Sequence, residues 1–112
     1  MNKICTSLEQ SKKLIELGID VKTADMYWWD SSKKYYIEAM DDGDFNEKGD
    51  IPAWSLTALL DILKYPSLTQ DVENKWSITD WTGFYPKSQY GFDNPIDACY
   101  EMILKLYEEN LL

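Results

Sequence analysis

Apolar residues recur at helical spacing in three stretches of this chain and follow a strand pattern in three others. The first helical stretch opens at Thr6 or Ser7. Thr6 with Glu9, or Ser7 with Gln10, forms a capping box, and Leu8, Ser11, Leu14 and Ile15 make the inward stripe. Gly18 suits the left-handed residue after the helix, with Ile19 folding back on Leu14. The second helix has Ser55 as N-cap, Trp54 as a staple onto Leu59, and Leu56, Leu59, Leu60 and Leu63 as its buried face. Pro66 disfavours helix at Tyr65 and ends it. The third runs from the cap Asn94 and the first-turn Pro95 and Asp97 through Ile96, Cys99, Tyr100, Ile103, Leu104 and Tyr107.

The alternating stretches predict strands. Residues 26–30 and 34–40 form an aromatic hairpin about residues 31–33, with Tyr35, Ile37 and Ala39 on the core face. Residues 75–79 form a further strand with Trp76 and Ile78 inward. Residues 81–85 either pair with that strand or continue it through a bulge, because Thr79-Asp80 lacks tight-hairpin chemistry. Residues 41–50 and 87–93 read as loops. The expected architecture is α+β: one domain over residues 1–112, an antiparallel sheet of three to four strands, and three helices mostly packed on one face.

Composition narrows the chemistry. The chain has 20 acidic residues against 11 lysines and a net charge of −9, with no histidine and no arginine. Histidine-based triads and histidine-ligated zinc are therefore excluded for this chain acting alone. Bidentate arginine contacts to guanine or phosphate are excluded too, and the negative surface repels a nucleic-acid backbone. Direct nucleic-acid binding is not expected. No run approaches the roughly 18 apolar residues of a membrane span, and residues 3–10 lack a secretory signal's apolar core. A cytoplasmic location is expected, with Cys5 and Cys99 as buried free thiols.

Two clusters invite a functional reading. Asp42, Asp44 and Asn46 have the spacing of the first three ligands of a calcium loop. Glu47 then replaces the required glycine and Ala53 the bidentate glutamate, so a solvated loop is expected rather than a metal site. No cofactor is implied. The chain also holds five Trp and eight Tyr. Tyr27, Trp28, Trp29 and Tyr36 crowd the hairpin, and period-two geometry sends about half of such residues to each face. A one-sided core cannot cover both sets. These four, with Trp81, are the predicted binding residues.

Thr23-Ala24-Asp25-Met26 with Trp28, Ile51-Pro52-Ala53-Trp54-Ser55-Leu56 with Leu59 and Leu60, and Asn94-Pro95-Ile96-Asp97-Ala98 resemble segments of small proteins from gut Bacteroidetes genomes and their phages and prophages. That group has no assigned activity, so the resemblance implies a mobile-element setting and no mechanism. Its members often carry Leu-Pro after the second helix, where this chain has Lys64-Tyr65-Pro66. The expected function is non-enzymatic: an acidic interaction protein that binds another protein or a second copy of itself, one version being a nucleic-acid mimic whose carboxylates stand in for phosphates. The alternative is a small-ligand or carbohydrate-binding module using Trp28, Trp29 or Trp81. A third reading is a carboxylate enzyme working with a divalent ion, for which Asp25, Asp30 and Glu38 are the nearest acids to the hairpin.

Overall fold

The computed structural model describes residues 3–31, 34–39, 50–82 and 85–112; for residues 29–31 and 34–39 the description is of the backbone. Among them are helices α1 (Leu8–Leu17), α2 (Leu56–Ile62) and α3 (Pro95–Glu108), a short 3₁₀ turn (Val21–Thr23), and six strands: β1 (Met26–Ser31), β2 (Lys34–Ala39), β3 (Ile51–Ala53), β4 (Pro66–Gln70), β5 (Trp76–Asp80) and β6 (Lys87–Phe92). The α+β class and the three helices are as the sequence predicts. The strands, however, divide between two antiparallel three-stranded sheets, ordered β2-β1-β3 and β4-β5-β6.

The helix termini follow the sequence closely. Ser7, not Thr6, caps α1: its hydroxyl accepts from the Gln10 N–H, and the Gln10 side chain accepts from the Ser7 N–H. Gly18 takes a φ of 94° and closes the helix, and the Ile19 N–H returns to the Leu14 carbonyl. Only glycine adopts that backbone conformation without a Cβ penalty. Ser55 caps α2, which ends at Leu63 in extended conformation ahead of Pro66. Asn94 accepts from the Asp97 N–H at 2.8 Å, with Pro95 in the first turn of α3.

The second sheet departs from the sequence expectation. Residues 87–93 are not a loop: Lys87–Phe92 is β6. The strand β5 ends at Asp80, whose carboxylate accepts from the Thr82 N–H at 2.8 Å, and its partners are β4 and β6. The expectation for residues 81–85 therefore finds no strand at 81, 82 or 85 and otherwise lies outside the described residues. The partner of β5 on its other side is β4, in a stretch with a single inward apolar residue, Leu68, opposite Ile78. Edge strands bury little, so their pattern is polar and easily mistaken for loop. Pro66 lacks an N–H but begins an edge strand, where none is required by the ladder. The irregular pairing falls between Trp76 and Ile78, opposite Gly91 at φ 82°.

One buried cluster joins these parts. Leu14 of α1, Trp54, Ala58, Leu59 and Leu63 around α2, Ile78 of β5, and Ile96, Cys99, Met102, Ile103 and Leu106 of α3 are all essentially inaccessible to solvent. Helix α3 packs on β5 and β6 and against α2, while α1 packs on β3. The inner face of the second sheet is thus covered by α3.

Two polar junctions fix the helices to the first sheet and to each other. In the first, the Trp54 indole N–H donates to Thr23 Oγ1 at 2.8 Å, and its backbone exchanges hydrogen bonds with Thr6. Asp25 accepts from both the Ser55 N–H and its hydroxyl. In the second, Lys3 Nζ donates to Gln10 Oε1 at 2.7 Å and Asp97 Oδ1 at 2.8 Å, and Gln10 Nε2 donates to the same Asp97 oxygen. Asn94 Nδ2 donates to Asp97 Oδ2 at 2.9 Å. Burial pushes the Asp97 carboxyl upward, but the hydrogen bonds from Lys3, Gln10 and Asn94 outweigh it and hold its pKa below the ordinary carboxylate value. A carboxyl with a depressed folded-state pKa contributes stability above its unfolded value of about 4, and that contribution is lost as pH falls through the folded value. Thermal melts across the acid range are expected to show the wild type losing stability below about pH 4. Asp97→Asn starts lower at neutral pH and has a shallower acid limb. Parallel acid limbs for the two proteins would remove Asp97 from this role.

Candidate functional site

The five predicted binding residues fall on two different sheets. Tyr27, Trp28 and Trp29 lie on β1, and Tyr36 on β2 pairs directly with Trp29. Tyr27 and Trp28 are half-buried, and the Trp28 indole N–H donates to the Thr6 carbonyl at 3.1 Å. Trp28 therefore ties the first sheet to the chain before α1. The side chains of Trp29 and Tyr36 lie outside the described residues, as do Asp42, Asp44 and Asn46. Among the described residues, no group of three His, Cys, Asp or Glu side chains is placed to hold a metal ion. Asp25, one of the acids near the hairpin, is occupied by Ser55.

Trp81 belongs elsewhere. It follows β5, and its N–H donates to the Tyr65 carbonyl at 3.2 Å, extending the β4–β5 ladder by one pair beyond Pro66 and Asp80. Asp80 is fully buried, so strand alternation places Trp81 and Tyr65 on the opposite, outer face. Both side chains are solvent-exposed, at 58% and 64%. Tyr85, two residues before β6, is 76% exposed, and Tyr90 on β6 is 74% exposed.

Between these rings the outer face is lined with hydroxyls. Ser67 pairs with Thr79, Thr69 with Ser77, and Thr79 with Ser88. The Thr79 and Ser88 hydroxyls are 2.8 Å apart. Ile78 and Leu68 turn the other way, into the core under α3. The result is a three-stranded Ser/Thr face with Tyr65, Trp81 and Tyr85 at one end and Tyr90 on an edge strand. Asp80 fixes that end by holding the Thr82 backbone from below.

No family model, curated protein or solved structure matches the chain. The geometry of its own residues is what bears on function. Tyr and Trp offer rigid, amphipathic contact area at low entropic cost, and short hydroxyl side chains offer adaptable hydrogen bonds. Four such aromatic rings, Tyr65, Trp81, Tyr85 and Tyr90, are exposed on or beside this surface.

Sequence reasoning missed Tyr65, Tyr85 and Tyr90. Their signal is local: Tyr65 and Tyr85 each precede a proline, and Tyr90 sits between Gln89 and Gly91.

The cysteines are structural. Cys5 and Cys99 are free and buried. Burial pushes the Cys5 thiol up to about 11 and the Cys99 thiol to about 12. The thiolate is the reactive form, so neither is a nucleophile near neutral pH. Iodoacetamide at mildly alkaline pH is expected to label neither in the folded protein and both in guanidinium, read by intact mass. Rapid labelling of the folded protein would contradict this burial.

Proposed function

We propose that this chain is a non-enzymatic binding domain that engages a protein partner through the Tyr65–Trp81–Tyr85 end of the second sheet. The observation that carries the reading is the concentration of exposed aromatic side chains there, beside an open Ser/Thr face. Aromatic anchors dominate the energetics of protein interfaces. The net charge of −9 adds the second element: a partner with a basic surface is drawn in by long-range attraction, which raises the association rate and makes binding salt-dependent.

The free buried thiols support a reducing, cytoplasmic setting, and among the described residues no helix is long and apolar enough to cross a membrane. The resemblance of residues 23–28, 51–56 and 94–98 to phage and prophage proteins supports an accessory role in a mobile element. Those segments hold the two polar junctions of the fold, so they account for shape and not for the partner. The test is a double variant, Trp81→Ala with Tyr85→Ala. It is expected to lose the partner recovered by wild-type protein at low salt while melting at the wild-type temperature. Retention of that partner would overturn the reading.

A further inference from the structure

The turn between β4 and β5 and the start of α3 enclose a cleft of about 430 Å³, on the scale of a small-ligand site. Its apolar surface comes from Trp76 and Pro95, and its polar groups from Gln70, Asn74, Asp93 and Lys3. The charges in it are already balanced by neighbours. Lys3 is held by Asp97 and Gln10, and Asp93 pairs with Lys75. Of the three carboxamides lining the cleft, Asn94 is held by Asp97, and those of Gln70 and Asn74 are not so committed. Gln70 Nε2 makes one long contact, 3.4 Å, to the Asn74 carbonyl. The Asn74 side chain has no hydrogen-bond partner among the described residues.

The Asn74 backbone is also set for this position. It sits at φ 63°, a left-handed conformation that asparagine tolerates better than other branched residues. Asp71 organises the turn around it, accepting from the Glu73 and Lys75 N–H groups. The carboxamide is therefore presented on a fixed turn.

We propose that this cleft binds a neutral mono- or disaccharide. A sugar presents hydroxyls that both donate and accept, and an apolar C–H face. Carboxamides and the second carboxylate oxygen of Asp93 match the hydroxyls; Trp76 and Pro95 match the apolar face. An anionic ligand is disfavoured by Asp93 and by the charge of the whole chain. A cationic one meets Lys3. An apolar one leaves the carboxamides unpaired.

This site is separate from the Tyr65–Trp81–Tyr85 surface, and the two proposals fail independently. The experiment is a titration of the full chain with neutral hexoses, N-acetylhexosamines and their disaccharides at millimolar concentration. Binding is followed by calorimetry and by backbone amide shifts. At least one neutral sugar is expected to bind, with shifts centred on Asn74 and Trp76. Asn74→Gly keeps the left-handed backbone and removes the carboxamide; it and Gln70→Ala are each expected to weaken binding about tenfold, the equivalent of one lost hydrogen bond. Trp81→Ala with Tyr85→Ala leaves it unchanged. Absence of binding across the panel would overturn the proposal. So would affinity unaffected by both cleft variants, or tighter binding of a sugar acid or sugar phosphate than of its neutral parent.

Discussion

Trp54→Ala is expected to cost about 3–5 kcal/mol of folding stability, the range for deleting a large buried aromatic side chain. Trp54 is fully buried at the meeting point of α1, α2 and the first sheet. Its loss opens a cavity that its anchored neighbours cannot collapse into, since the Thr6 N–H still donates to the residue 54 carbonyl and the residue 54 N–H to Thr6 Oγ1. Against a total stability of 5–15 kcal/mol typical of single domains, the variant is left marginal. Trp54→Phe keeps most of the ring volume and loses only the indole N–H to Thr23, at an expected cost of about 1–2 kcal/mol. Urea unfolding followed by circular dichroism separates the two. An alanine variant within about 1 kcal/mol of wild type would show that this junction does not organise the core.

The second large effect is on binding. Trp81→Ala combined with Tyr85→Ala is expected to weaken partner affinity by at least about 2 kcal/mol, or roughly thirtyfold. Both side chains stand mostly in solvent, so the folded protein changes stability by no more than about 0.5 kcal/mol. That separation matters, because a loss of binding with an unchanged melting temperature cannot be assigned to unfolding. Raising salt weakens both proteins' binding through the electrostatic contribution, whereas the aromatic contribution persists. A variant that binds as tightly as wild type at every salt concentration would move the interface away from the second sheet.

The helices were legible because each carries its own punctuation. Ser7 with Gln10, Gly18, Ser55, and Asn94-Pro95 each satisfy local backbone groups, and local chemistry is what a sequence displays. The β1–β2 hairpin was legible for a similar reason, since its aromatic alternation is dense. The second sheet was only one-third visible. Its central strand turns Trp76 and Ile78 inward and shows the pattern; its edges, Pro66–Gln70 and Lys87–Phe92, have no fully buried position. Without both edges, the face they frame is not apparent in the sequence, and Trp81 reads alongside the hairpin tryptophans. Trp28 illustrates the converse: an aromatic in a suggestive cluster is held by a carbonyl 22 residues away, a contact that no local pattern encodes.

The most direct test of the proposed surface places a photo-crosslinking amino acid at position 85 or, on the exposed side of α3, at position 101, in the native cellular background. Position 85 is expected to yield a discrete crosslinked species that unlabelled wild-type protein competes away and the Trp81→Ala, Tyr85→Ala variant does not. Crosslinking to the same species from position 101 and not from 85 would contradict the account.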